Sequence, residues 1–299
     1  MSCLYKALRC VGHQHWIPHG RDRFLRLFAP PDAGLDYEFE VDFFGARYVG
    51  NLGNFIDWTV YFYGALAHNE LFLMRDIAAS IHAKGGTAVG YDVGANIGQH
   101  TLYMSLHMDR VIAFEPFETV RQKIVERMAL NRRTNVEILP FALGDRDGTF
   151  EFFPPEGENQ GTGSMVPVAE RGGPEVAAIM VEARRGDELI AARGLPPPNI
   201  VKIDVEGFEP RVLAGLRETL VAERPFILME MLGPTKAEIG GEAALRDLLY
   251  PDAAIYEVIN PPGRRDYALT PFDFGASFEI LVAPRGAVEG IPDLRARVR

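Results

Sequence analysis

Three carboxylates stand at the ends of short apolar stretches. Asp204 and Glu206 follow Ile200, Val201, Ile203 and Val205 in the run Asn199 to Glu209, and Glu230 ends the run Phe226 to Met231. A carboxylate delivered at the end of a buried strand suits proton transfer or the holding of a divalent cation. A second group has other chemistry. Asp92, Gly94, Ala95, Asn96 and Gly98 form a turn between an apolar lead-in (Thr87 to Val93) and a helical pattern carrying Leu102 and Leu106. Strand, glycine turn and helix open a nucleotide-binding α/β unit. Gly94 and Gly98 can take positive φ, and the free N–H groups of the next helix can face a ligand. A second apolar strand, Val111 to Phe114, ends in Glu115 and Pro116. A carboxylate there accepts hydrogen bonds from both ribose hydroxyls.

The turn distinguishes between nucleotides. A dinucleotide fingerprint places a glycine where the chain has Asn96, so that a pyrophosphate can approach. No basic residue stands nearby, and Asp92 makes the turn acidic. Such a turn suits a ligand with an amino group and a sulfonium, S-adenosylmethionine; the alternative is a dinucleotide. Phe141 and Ala142 follow a third strand, Val136 to Leu139, and are the expected adenine contacts.

These residues require a doubly wound, mostly parallel sheet, with the ligand at the strand carboxyl ends where strand order reverses. If the glycine-turn strand and the Asp204 strand are neighbours there, Asp204 and Glu206 point toward the transferable methyl group. Methyl transfer to a hydroxyl is an in-line displacement governed by positioning. Asp204 is the first choice of base, with Glu206 and Glu230 as partners. A divalent metal held by Asp204, Glu206 and Glu230 is the other way to activate the hydroxyl. The competing use of Asp204 is as a cap for the following helix.

The remaining elements read as follows. Leu4, Leu8 and Val11 recur at helical spacing in a basic leader, residues 1–28, broken at Pro18 and Gly20. That arm is expected to pack on the protein or a second subunit, or to touch a membrane surface weakly. Tyr37 to Tyr48 alternates like a hairpin. The aromatic run Ile56 to Tyr63 is core or interface, with some residues walling the acceptor pocket. Helices are expected at Glu70 to His82, Glu118 to Asn131, Pro210 to Leu220 and Lys236 to Leu249. Closing strands are expected at Ala254 to Ile259 and Phe278 to Val282, and Pro154 to Pro174 is long enough for a lid. Residues 1–69 form an N-terminal helical and hairpin extension, and 70–299 the catalytic domain.

With 299 residues, 47% hydrophobic and 24% charged, the chain is an ordinary globular α/β protein. A net charge of −10 argues against a general nucleic-acid binder. Two cysteines without a C-x-x-C pair disfavour a disulfide framework or structural zinc, and no apolar run is long enough to cross a bilayer. A cytoplasmic enzyme is the default, and the aromatic N-terminal segment suits a homodimer.

Tyr91 to Gly98, Ala113 to Pro116, Ala142 to Asp145 and Lys202 to Glu209 resemble the successive motifs of FkbM-type methyltransferases. The resemblance covers roughly Glu70 to Leu232. It implies a class I methyltransferase fold, Rossmann-like, with a seven-stranded sheet, and S-adenosylmethionine-dependent O-methylation of a sugar, glycan or polyketide-type hydroxyl. Within it Glu115 matches the ribose-binding acid, and Asp92, Gly94, Asn96 and Gly98 match the cofactor turn. An N-methyltransferase of the same fold and a non-catalytic cofactor-binding scaffold are the alternatives.

Overall fold

The computed structural model describes residues 2–14, 20–31, 33–154, 163, 177–261 and 266–289. Helices α1 (Ser2–Gly12) and α2 (Arg21–Phe28) lead to a hairpin of β1 (Glu38–Phe43) and β2 (Ala46–Asn51). Phe39, Val41 and Phe43 turn inward while Glu38, Glu40 and Asp42 face out, as the two-residue period of a half-buried strand demands. Helices α3 (Phe55–Tyr63) and α4 (His68–Ala83) follow, then β3 (Val89–Val93), α5 (Gln99–His107), β4 (Arg110–Phe114), α6 (Glu118–Leu130) and β5 (Val136–Leu139). Next come β6 (Ala142–Gly144), β7 (Gly148–Phe152), β8 (Ile179–Arg185), α7 (Gly186–Arg193) and β9 (Ile200–Ile203). The chain ends with α8 (Glu209–Gly215), α9 (Arg217–Glu223), β10 (Phe226–Glu230), α10 (Gly233–Ile239), α11 (Glu242–Leu248), β11 (Ala253–Ile259), β12 (Ala268–Pro271) and β13 (Glu279–Pro284).

The main sheet has the order β5-β4-β3-β9-β10-β13-β11-β12. From β5 to β10 the strands are parallel; β13 is antiparallel to both β10 and β11. Strand order reverses between β3 and β9, so the glycine-turn and Asp204 strands are direct neighbours. All residues of β3 and β9 are buried, because helices cover both faces of a parallel sheet.

Eight strands, rather than the expected seven, make this sheet. The addition is β12, which pairs antiparallel with β11 and covers an edge that would otherwise expose unpaired backbone. Tyr267 beside it and Leu269 within it are buried, and the Tyr267 hydroxyl donates to Asp76 Oδ2 at 2.8 Å, tying this edge to α4. A separate three-stranded sheet, β6-β8-β7, lies beside it; β7 is the arm of an antiparallel pair with β8, as a short strand at Thr149 to Phe153 suggests, while the parallel partner β6 is an addition. The helix expected at Pro210 to Leu220 is two helices meeting at Leu216. Its first part packs so closely on β6 that a Cβ at Gly215 would lie 1.8 Å from the Gly144 carbonyl oxygen. The helix expected at Lys236 to Leu249 is likewise split, at Gly240, where φ is +80°. Apart from Pro154 and Gly163, the stretch expected to form a lid lies outside the described residues.

Tyr5 and Leu8 of α1, Leu25 of α2 and Trp58 of α3 share one buried core with Leu102, Val111 and Leu281 of the main sheet and its helices. A second core on the other face joins Tyr91, Ile112, Val201 and Ile227 to Leu213, Leu216 and Leu245.

Candidate active site

The turn after β3 is pressed against the end of β9. Gly94 has φ +82°, and a Cβ there would stand 1.9 Å from the Asp204 carbonyl oxygen. The Gly94 and Ala95 N–H groups both donate to Phe114 O at 3.1 Å, which ties the turn to β4. Asn96 is itself left-handed at φ +50°, a conformation that asparagine tolerates better than most residues. Its side-chain oxygen accepts from Ile97 N–H at 2.7 Å. Gly98, at φ +81°, starts α5.

Glu115 leaves β4 and is only 5% exposed. Its carboxylate is clamped from two sides: Asn96 N–H donates to Oε2 and Phe117 N–H to Oε1, both at 2.8 Å. Burial pushes its pKa up to about 7, even though both N–H bonds and the nearby Arg121 favour the ionised form. Backbone donors thus fix the carboxylate while leaving it lone pairs for a ligand.

A cavity of about 280 Å³ opens at this point. One side is lined by Gly94, Ala95, Asn96, Glu115 and Pro116, and Phe117, Val120, Ala142, Leu143 and Phe152 form an apolar wall. The other side carries Lys202, Asp204, Glu206 and Glu230. Two of the expected cofactor contacts lie elsewhere. Asp92 is fully buried behind the turn, where Thr101 Oγ1 donates to its Oδ2 at 2.6 Å and its Oδ1 lies 3.9 Å from Lys202 Nζ. Phe141 lies outside the cavity lining, with the Arg184 and Arg193 guanidinium groups over its ring; Ala142 and Leu143 line the cavity instead.

Asp204 does not cap α8, whose N-cap is Phe208 with no side-chain cap bond. Instead Lys202 Nζ donates to Asp204 Oδ2 at 2.9 Å. Burial would raise the Asp204 pKa, but the Lys202 ammonium outweighs it and holds the carboxylate below its ordinary value. Burial likewise opposes the charge on Lys202, and Asp204, Asp92 and Glu70 overcome it, holding Lys202 firmly protonated. Glu230 behaves oppositely. Burial, and then the negative charges of Asp204, Glu206 and Glu70, push it up to about 9. Near neutral pH the Asp204–Glu230 pair therefore carries one proton, held on Glu230.

Glu206 has φ +54° and Gly207 φ +107°, so the Asp204 loop makes a sharp left-handed turn. Glu209 braces it. Its buried carboxylate accepts from Val205 N–H at 3.0 Å, Gly207 N–H at 3.0 Å and Thr235 Oγ1 at 2.5 Å. Among the described residues no group of three or more His, Cys, Asp or Glu side chains is placed to hold a metal ion. The expected ligand set of Asp204, Glu206 and Glu230 does not form one, since Asp204 is engaged by Lys202.

Phe55 and Ile56 lie in the segment expected to wall the acceptor pocket, and further lining residues stand outside the expected set. Lys202 was readable as an oddity, a lysine inside the apolar run Ile200 to Ile203. His100 and Gln99 follow the glycine turn directly. Phe55, Ile56 and Leu66 bring the N-terminal extension into the wall. Gln99 secures that junction: Leu66 N–H donates to its Oε1 at 2.7 Å, and its Nε2 donates to Leu66 O at 3.2 Å.

The strand order and the glycine turn at the reversal point define a class I methyltransferase fold with one extra edge strand. Residues 92–257 match the methyltransferase FkbM domain, and the chain belongs to that family. The hexuronic acid methyltransferase AglP of Haloferax volcanii is 30% identical over 146 residues, 47% of this chain and 54% of that protein. The AMB antimetabolite synthetase AmbE of Pseudomonas aeruginosa is 27% identical over 266 residues, 77% of this chain but 12% of that protein. The chain thus spans about half the length of the first relative and a small part of the second. Among solved structures, the FkbM methyltransferase of Methylobacillus flagellatus aligns with a TM-score of 0.43 at 16% identity, over 66% of this chain and 43% of the other. A SAM-dependent methyltransferase from Agrobacterium tumefaciens aligns at 0.47 with 10% identity, over 85% and 72%.

Proposed function

We propose that the chain is an S-adenosylmethionine-dependent O-methyltransferase acting on a hydroxyl of a sugar-like small molecule. The observation that carries this reading is the arrangement across the β3–β9 junction. A clamped ribose-type acid and a glycine turn face an ion-paired acid across one cavity. The family match supports methyl transfer, and the hexuronic acid methyltransferase named above supports a sugar-type acceptor.

The residues present fit the cofactor. Glu115 is placed for ribose hydroxyls, the backbone around Asn96 for the polar tail, and the wall of Phe117, Val120, Ala142, Leu143 and Phe152 for an adenine. A dinucleotide fits worse. Lys202 is the one lysine or arginine among the described lining residues, and it is spent on Asp204 and Asp92, leaving no cation for a pyrophosphate.

When bound, S-adenosylmethionine supplies an electrophilic methyl group on a sulfonium. The chain's own part is to hold the acceptor in line with it. Asp204 stays ionised beside Lys202 and orients the acceptor by accepting a hydrogen bond from one of its hydroxyls. Glu230, neutral near pH 7, donates to a neighbouring acceptor oxygen. The apolar wall keeps water from competing as an acceptor.

The test joins binding and turnover. Calorimetric titration with S-adenosylhomocysteine is expected to give micromolar binding. Transfer of labelled methyl to a panel of neutral sugars and glycosides is expected to give a base-stable methyl ether. Binding without transfer to any hydroxyl, but with transfer to amines, would replace the O-methyl reading by an N-methyl one.

A further inference from the structure

We propose that His100, oriented by Glu70, takes the proton of the hydroxyl that is methylated, while Asp204 holds the acceptor by accepting a hydrogen bond from a neighbouring hydroxyl. The inference rests on the methyltransferase reading of the cavity and supplies a group which that reading leaves open. A carboxylate kept acidic by an ammonium at 2.9 Å is a firm hydrogen-bond acceptor but a weak base. The cavity therefore needs a stronger proton acceptor beside Asp204.

His100 stands there. It lies in the first turn of α5, two residues past Gly98, and lines the cavity together with Lys202, Asp204 and Glu230. It is 9% exposed. Its Nε2 is buried 3.2 Å from Glu70 Oε2, a close polar contact lying off the hydrogen-bonding angle. With Nε2 turned to Glu70, the other ring nitrogen is left for a ligand. Glu70 comes from α4, is 9% exposed, and does not line the cavity. Burying an acid there is costly unless it meets a partner.

Glu70 is flanked by a second buried acid. Behind it, Glu279 of β13 is buried and accepts from Asn69 Nδ2 at 3.1 Å on Oε2. Burial, and then the charge of Glu70, drive the Glu279 pKa well up, so Glu279 keeps its proton and shares it with Glu70 by a hydrogen bond. The titratable groups around the imidazole are thus Glu70 and Glu279 on one side and Lys202, Asp204 and Glu230 on the other. A carboxylate that fixes one imidazole nitrogen and stabilises the imidazolium is the arrangement by which acids support histidine bases.

The step balances. The acceptor's O–H bond breaks and its proton goes to the free imidazole nitrogen. The oxygen lone pair forms the O–CH3 bond, and the electron pair of the broken C–S bond stays on sulfur as a neutral thioether. The sulfonium's positive charge is replaced by an imidazolium beside Glu70.

The experiment compares the wild-type full chain with H100Q and E70Q by three measurements. Calorimetry with S-adenosylhomocysteine is expected to give affinities within about threefold of one another, since neither residue contacts the ribose acid. NMR titration of the His100 ring, assigned by its loss in H100Q, is expected to show a lower midpoint in E70Q. Initial rates on a neutral sugar acceptor are expected to show kcat down about 100-fold or more in H100Q with KM little changed. In E70Q, the acid limb of the pH profile is expected to move to lower pH. A kcat for H100Q within threefold of wild type, or an unmoved His100 titration in E70Q, would overturn the proposal. Failure of the wild type to bind S-adenosylhomocysteine would instead remove the cofactor reading beneath it, and the proposal with it.

Discussion

Replacing Arg127 by Met tests whether the N-terminal extension and the glycine turn form one mechanical unit. Arg127 is 4% exposed and joins three elements. Its guanidinium donates to the Ile97 carbonyl of the glycine turn, to Val49 O of β2 at 3.2 Å and to Asp57 Oδ1 of α3 at 2.7 Å. It also stacks over the Tyr48 ring, whose hydroxyl donates to Asp57 at 2.7 Å. Methionine of similar length fills the space but leaves Asp57, 2% exposed, without its guanidinium partner. Breaking a buried pair in this way costs about 3–5 kcal/mol. At about 2–4 °C per kcal/mol for a chain of this class, the melting temperature falls by roughly 10 °C. The double substitution Asp57→Asn with Arg127→Met removes the carboxylate left without that partner and is expected to recover about 2 kcal/mol of that loss. Loss of the donor to Ile97 O should also weaken S-adenosylhomocysteine binding by up to about tenfold, since one hydrogen bond is worth about 1 kcal/mol net. Thermal melts and calorimetry of the single and double variants read all three effects. A single variant that loses under 1 kcal/mol, or a double variant less stable than the single one, would refute the reasoning.

Other expectations follow from the same contacts. Gly94→Ala puts a Cβ 1.9 Å from Asp204 O at a residue with φ +82°, so cofactor binding and a large part of the thermal stability should be lost together, as titration and melting would show. Asp204→Asn should leave S-adenosylhomocysteine affinity nearly intact and remove most turnover, because the acceptor loses the ionised group that orients it; unchanged turnover would remove Asp204 from the site. Glu115 has a folded pKa raised to about 7 from 4.5, so its stabilising contribution is complete below pH 4.5 and is lost as pH rises through 7. Melts across that window should show Glu115→Gln with a flatter fall in stability than the wild type. Cofactor affinity should run the other way, strengthening as Glu115 ionises near pH 7, a slope that Glu115→Gln lacks.

The parts of the site that were legible in the sequence are those where one residue type answers one backbone demand. Gly94 is required because its backbone touches Asp204, and the glycine is visible without knowing what it touches. Glu115 was legible because it sits where an apolar strand stops. Lys202 and Glu209 were harder, although both lie inside a motif that was recognised as a whole. The lysine breaks the apolar pattern only once, and its reason is a pair of acids, Asp92 and Asp204, brought together by strand pairing. Glu209 reads as one more surface acid until the loop folds back and its carboxylate meets Val205 and Gly207. Asp92 was misplaced for the converse reason: its position in the turn motif is right, but alternation along β3 sends its side chain to Thr101 behind the cavity. Elements were lost where the signal was short. β6 has three residues, and β12 is a four-residue strand ending in Pro271, which suits an edge and little else. The contacts from Glu70 to His100 and from Arg127 to Asp57 span 30 and 70 residues, beyond any local pattern.

The central claim is that the cavity between β3 and β9 binds S-adenosylmethionine through Glu115. Its most direct test is calorimetric titration of the wild-type protein and of Glu115→Ala with S-adenosylhomocysteine. Micromolar binding by the wild type, weakened at least about tenfold in the variant, is the predicted result, since two charge-assisted hydrogen bonds are lost. A folded wild type that binds no S-adenosylhomocysteine, or a Glu115→Ala variant that binds as tightly as the wild type, would contradict it.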